Sequence, residues 1–188
     1  SGGKSRVEHN RVIDNALVAV GINSGWTVNL VGNELSRKGG LPPVVMVHSG
    51  SEATFKDNTI RGGGVAGIRV AGTITAENNR FDGISLRKVG PPNFAVWGLK
   101  GSRVTMSANE ISGWRHALHS TEGHVNAIGN SVSMFHQAAF VVQKPAGEAV
   151  ISKNKVTTSN ESYIAVMVDG NPGAEGANKV IPAPPAER

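Results

Sequence analysis

The chain has 188 residues, of which 18 % are charged and 39 % hydrophobic, with 24 glycines and no cysteine. That balance excludes a disordered polymer, the scattered glycines exclude a collagen-like repeat, and the missing thiols exclude disulfides and cysteine-held metals. A net charge of +5 and a pI near 9.8 favour anionic partners in general. No apolar run approaches the ~20 residues of a membrane-spanning helix. No export signal is readable, and Ser1-Gly2-Gly3 reads as a linker remnant.

Internal repetition organises the rest. Seven asparagines are each followed two residues later by an apolar residue: Asn10 with Val12, Asn33 with Leu35, Asn58 with Ile60, Asn79 with Phe81, Asn109 with Ile111, Asn130 with Val132 and Asn154 with Val156. Successive spacings are 23, 25, 21, 30, 21 and 24 residues. Three residues before each asparagine lies Val7, Leu30, Phe55, Ala76, Met106, Ala127 or Ile151. Five before, most are apolar again: Val28, Ala53, Ile74, Val104, Val125 and Ala149. Alternation of this kind is the period of a strand.

A second apolar run follows each block: Ala16–Val20, Val44–His48, Gly67–Ala71, Phe94–Gly98, His116–Ser120, Phe140–Gln143 and Tyr163–Val168. These runs are rich in valine and isoleucine, as strands require. A unit this small cannot bury its own apolar face, whereas stacked copies can, with equivalent strands ~4.8 Å apart. The expected fold is all-β: a right-handed parallel β-helix, a solenoid of about seven coils, with the asparagines forming an internal ladder. The helix spans residues 1–170, and 171–188 form a Pro/Gly/Ala-rich tail. Within the tail, Val180-Ile181 offers a final strand, which Pro182, Pro184 and Pro185 would terminate.

The repeat resembles the right-handed parallel β-helix superfamily of pectate lyases, polygalacturonases, phage tailspikes and the NosD-like or CASH-type carbohydrate-binding repeats. It covers about 165 residues by the spacing of the blocks. The resemblance implies a bacterial, extracellular or cell-envelope setting and a carbohydrate ligand, but not one activity. Solenoids are normally capped. The first coil begins near residue 5 without an amphipathic helix, so a missing N-terminal cap, a neighbouring domain or end-to-end homo-oligomerisation is expected.

Two coils carry insertions at one repeat position: Arg37-Lys38-Gly39-Gly40-Leu41-Pro42-Pro43 and Arg87-Lys88-Val89-Gly90-Pro91-Pro92. Arg61, then Trp114-Arg115-His116, then Phe135-His136 occupy the corresponding turns of other coils. Loops at one repeat position share one face of a solenoid. The candidate binding stripe is Arg37, Lys38, Arg61, Arg87, Lys88, Trp114, Arg115, His116 and His136, where arginines grip carboxylates or sulfates and an exposed tryptophan supports a sugar ring. The alternative is a solvated turn face with Trp114 and Phe135 packed inward.

Other motifs carry less. Arg61–Gly67 contains a GxGxxG match without the helix a dinucleotide site needs, and reads as a turn. His116 and His119, three apart on a strand, should face opposite ways and share no metal. No cofactor or metal site is expected. Asp14 and Asp82 fall three coils apart, too far for the carboxylate pair of glycosidic cleavage. The residues and the resemblance together favour a non-catalytic module, a scaffold or binder of an acidic polysaccharide or other polyanion, within a larger protein. The rivals are a lyase or hydrolase acting on such a polysaccharide, and a self-association module.

Overall fold

The computed structural model describes residues 2–14, 16–62, 64–84, 86–173 and 178–183. They form an all-β solenoid of about seven turns, with no helix among them. Each coil contributes one strand to each of three sheets. The first sheet stacks Gly3–Glu8, Trp26–Val31, Glu52–Lys56, Thr73–Glu77, Arg103–Ser107, His124–Ile128 and Val150–Ser152. The second stacks Arg11–Val12, Glu34–Arg37, Thr59–Gly62, Arg80–Gly83, Glu110–Ser112, Ser131–Ser133, Lys155–Thr158 and Lys179–Pro182. The third stacks Val20–Ile22, Val45–Val47, Ala66–Val70, Phe94–Gly98, His116–Thr121, Ala138–Gln143 and Ile164–Val168. All these pairings are parallel; Asn171–Pro172 adds a short antiparallel strand to the edge of the third sheet.

The apolar columns read from the sequence are the columns of the core. Val7, Leu30, Phe55, Ala76, Met106, Ala127 and Ile151 lie in one register along the first sheet. Val12, Leu35, Ile60, Phe81, Ile111, Val132 and Val156 do the same along the second, and Val180 extends that column. Strands here are stacked because each buries only one face, and the next coil supplies the missing edge.

Between the first and second sheets runs the asparagine ladder. Asn33 Nδ2 and its backbone N–H both donate to Asn58 Oδ1, at 2.9 Å each. The same two-donor contact repeats from Asn58 to Asn79, Asn79 to Asn109, Asn109 to Asn130 and Asn130 to Asn154. Each of these amides also donates to a carbonyl near the previous coil's first strand, as Asn79 Nδ2 does to Phe55 O at 2.9 Å. A further rung extends the expected seven: Asn154 donates to Asn178 Oδ1 through both N–H (3.2 Å) and Nδ2 (2.9 Å). Asn178-Lys179-Val180 has the same asparagine-plus-two pattern as the other blocks.

A conformational device aims each amide inward. The residue before each of the seven earlier ladder asparagines has positive φ: His9, Gly32, Asp57, Asn78, Ala108, Gly129 and Lys153, between 53° and 69°. Left-handed backbone turns the chain sharply between the two strands. Five of the seven are not glycine, so each stores about 1 kcal/mol of local strain, which the ladder bonds offset.

One expected strand is displaced. Ala16–Val20 was to form the first run of the third sheet, but the strand there is Val20–Ile22, and Leu17 is exposed. The carbonyls of Ala16 and Leu17 point to the Arg37 guanidinium instead of a neighbouring strand. At the other end, Pro182 lies in register with Thr158 within the last strand, and pairing continues through Ala183 N–H to Thr158 O. Pro184 and Pro185 lie outside the described residues, as does Ser1.

Two substitutions test the ladder. Asn79→Ala takes from the buried Asn58 N–H its acceptor, takes from Asn58 Nδ2 one of its three, and takes from the Phe55 carbonyl its side-chain donor, and should cost about 3 kcal/mol in urea unfolding. Asn10→Ala, at an exposed rung, should cost under about 1 kcal/mol. Equal losses would mean that burial of the amide is not what matters. Ala108→Gly, which removes an exposed methyl from left-handed backbone, should raise stability by about 0.5–1 kcal/mol in the same assay.

Candidate functional site

The two long insertions share the corner between the second and third sheets, as their repeat position requires, and each is tied down by an arginine. Arg37 is only 2 % exposed. Its guanidinium donates to Leu17 O (2.6 Å), Ala16 O (2.6 Å) and Pro42 O (2.5 Å). Arg115 does the same for the second loop, with Nε to Arg87 O at 2.6 Å and its terminal nitrogens to Gly90 O and Pro91 O. Burial lowers the pKa of both guanidiniums, and Arg87 adds to the effect at Arg115. Asn93, fully buried, accepts from Arg87 N–H and donates to Gly64 O, closing the base of the loop.

Prolines explain this use of arginine. Pro42, Pro43, Pro91 and Pro92 add carbonyls but no N–H groups, so the loops cannot satisfy their own acceptors. A guanidinium offers five donors in a fixed fork. Arg37 and Arg115 therefore serve as braces and not as open ligand grips, which corrects their expected role.

Trp114 is corrected likewise. It is 1 % exposed and packs into the core, with Nε1 buried and unbonded, so it offers no platform to a ligand. Phe135 is buried in the same core cluster. Arg61 pairs with Asp82 at 3.5 Å and Lys38 with Asp14 at 3.4 Å. The two aspartates thus sit in separate ion pairs on different coils. Arg61–Gly67 connects one strand to the next without a helix among its described residues, Gly63 lying outside them.

His116 and His119 depart from the simple alternation. Ala117 and Leu118 both enter the core, so the two histidines emerge on the same outer face, with ring centroids 5.7 Å apart. Phe94 stacks on both, at 5.1 Å and 4.5 Å. The expectation that they face opposite ways is therefore wrong. His116 donates from Nδ1 to Ala138 O at 2.7 Å, the geometry of the neutral Nδ1–H tautomer. Burial pushes its pKa down to about 4, against the opposing effect of that hydrogen bond. His119 is lowered by burial as well, opposed by a hydrogen bond with Gln143.

Sequence reasoning missed the continuation of this ring cluster. Arg69, Trp97 and His119 share one register on the third sheet, and the Arg69 guanidinium lies 5.4 Å over the Trp97 ring. Trp97 meets Phe94 edge-on at 5.9 Å. The expected runs align Trp97 with His119, but Gly67–Ala71 starts one residue later than the strand Ala66–Val70, which puts Arg69 out of the column.

Two depressions open at the corner: one of about 300 Å³ bordered by Asp14, Arg37 and Arg61, and a cleft of about 340 Å³ beside the second loop. Leu86 and Lys88 come from the second loop; Phe135, Asn160 and Tyr163 belong to the turns of later coils, and Thr158 ends a second-sheet strand. Among the described residues, Lys88 is the one charged side chain lining the cleft. His136 lies behind, its Nδ1 2.8 Å from the Tyr163 hydroxyl, and it also meets Tyr163 ring to ring. Burial first, then Lys88 and Arg115, lower the pKa of His136, and its hydrogen bond with the Tyr163 hydroxyl orients the tyrosine. The cleft brings Lys88 together with the His136–Tyr163 pair, and leaves Arg37, Lys38 and Arg61 farther along the rod.

The buried imidazole sets a pH dependence. Folding holds His116 neutral, while the unfolded chain protonates near 6.5, so its contribution is complete above that pH and lost as pH falls towards 4. The loss should be about 3 kcal/mol. Urea unfolding of His116→Gln between pH 7 and 4 should show a correspondingly shallower decline. A parallel decline would assign the acid sensitivity to other groups.

Comparison with protein-family models, with curated proteins and with solved structures finds no match to this chain.

Proposed function

We infer that this solenoid is a non-catalytic module, a rigid scaffold that binds an acidic glycan or comparable polyanion in the cleft beside the 86–92 loop. The observation that carries the reading is the lining of that cleft: among the described residues, one cation, Lys88, no carboxylate, an oriented Tyr163 ring, and a set of hydroxyl and amide groups including Thr158 and Asn160. An aromatic edge, hydrogen-bonding side chains and a single cation suit a sugar bearing a carboxylate or sulfate. The resemblance of the repeat to carbohydrate-active β-helices supports the same class of ligand, and with it an extracellular or envelope setting.

Glycosidic hydrolysis needs two carboxyl groups flanking the bond. Asp14 and Asp82 are held in ion pairs away from the cleft, which supports binding over hydrolysis. The rival is elimination, where the His136–Tyr163 pair beside Lys88 would be the proton-handling group.

One experiment addresses both. Polygalacturonate, alginate and a glycosaminoglycan are titrated calorimetrically, and their ultraviolet absorbance is followed for unsaturated product. Binding that weakens with salt, and that falls about tenfold or more in Lys88→Glu and in Tyr163→Ala, is the expected result. Absence of binding to all three, or binding indifferent to both substitutions, overturns the cleft. Growing absorbance replaces the binding module with a lyase.

A further inference from the structure

The same corner carries an apolar feature that, Met134 apart, lies outside the proposed glycan cleft. Among the described residues, nine large hydrophobic side chains are exposed, and six of them, Ile13, Leu17, Leu41, Ile84, Val89 and Met134, lie between a second-sheet strand and the following third-sheet strand. Val89 is 82 % exposed, Leu17 72 %, Met134 66 % and Leu41 59 %. They come from coils one, two, four and six, so they form a row along the rod and not a single knob. A row of exposed aliphatic residues on one side of a fold marks an interaction surface.

The two insertions are built alike. Each presents a lysine, an exposed aliphatic residue and a Pro-Pro stem, in Lys38–Leu41–Pro42-Pro43 and Lys88-Val89–Pro91-Pro92. Each is held by a guanidinium on its backbone carbonyls. Bracing keeps the tips out and limits the ordering that docking would otherwise require. The lysines lie beside the tips, and the ion pair of Lys38 with Asp14 is exposed and therefore readily exchanged.

Charge selects the partner. The connecting segments of this corner carry Lys38, Arg87, Lys88 and Arg115 against Asp14 and Glu161. A second copy docking corner to corner would bring like charge to like charge. An acidic polysaccharide would answer the charge but leave Leu17, Leu41 and Val89 without an apolar partner. An anionic bilayer surface answers both, with phosphates for the lysines and acyl chains for the tips. A flat surface can also meet tips from several coils at once.

We propose that the insertion corner docks on an anionic lipid surface, with Leu17, Leu41 and Val89 entering the headgroup–acyl boundary and Lys38 and Lys88 meeting lipid phosphates. Sedimentation of the chain with vesicles tests this, using equal parts phosphatidylglycerol and phosphatidylcholine against phosphatidylcholine alone. Binding is expected to the anionic vesicles only. It should fall about tenfold or more in the triple variant Leu17→Ser, Leu41→Ser, Val89→Ser, and comparably in Lys38→Glu. Substitutions at exposed tips leave the core intact, which an unchanged urea midpoint verifies.

Vesicle binding that survives the triple variant, or that is equal on phosphatidylcholine alone, overturns the proposal. So does a wild-type chain that ignores both vesicles, including one that self-associates with rising concentration and loses this in the triple variant; the tips would then contact a second copy. The cleft is left untouched by the serine substitutions, so glycan titration of the triple variant should match wild type, and either reading can fail without the other.

Discussion

A buried primary amide has four hydrogen-bonding positions to satisfy, and in this rod nearly all of them are satisfied by the coil above or below. That requirement governs the architecture. Asn33, Asn58, Asn79, Asn109, Asn130 and Asn154 are buried, and the side chain of each engages the next asparagine in the series. An amide displaced by one residue would face the wrong side of the backbone and lose every partner at once. The ladder therefore sets the vertical registration, and chain length between rungs is free to vary. Sequence separations along it range from 21 to 30 residues, with the excess expelled at the corner between the second and third sheets. The left-handed residue before each rung is the local cost of holding that geometry.

Expelling chain at a corner creates a polar problem of its own. Backbone that leaves a sheet takes its carbonyls with it, and prolines in the loops remove compensating donors. Arg37 and Arg115 answer that shortage from within the fold. Their positive charge contributes to the basic balance of the protein while their hydrogen-bonding capacity is occupied by the main chain. Net charge thus overstates how much guanidinium is offered to a partner, and the lysines beside the loops, which carry charge without such bracing duty, are the better guide to the binding face.

The reading from residues alone succeeded where one residue type recurs against a fixed apolar background. Asparagine, the position three before it and the position two after it recur in every coil, and these became the ladder and two columns of the core. Asn178 obeyed the same rule but lay in a glycine- and proline-rich stretch whose composition masked it. The left-handed position was illegible because His9, Gly32, Asp57, Asn78, Ala108, Gly129 and Lys153 have no chemistry in common; only the backbone unites them. Side-chain direction at the corner was equally hidden. Trp114 turns inward and His116 outward although their neighbours in sequence gave no period, because consecutive core residues such as Ala117 and Leu118 break the two-residue alternation of a strand. The cleft beside Lys88 depends on Tyr163, which comes from a coil three turns further on and bears no motif.

The ladder also has a sense. From Asn10 through Asn178, donors always belong to the earlier rung and the acceptor oxygen to the later one. Amide dipoles aligned head to tail polarise one another, much as peptide groups do along an α-helix. The ladder in the interior of this all-β rod consequently carries an axial electrical polarity, negative towards its first coil and positive towards its last, and its two faces perpendicular to the axis are electrostatically distinct even where their outlines are alike.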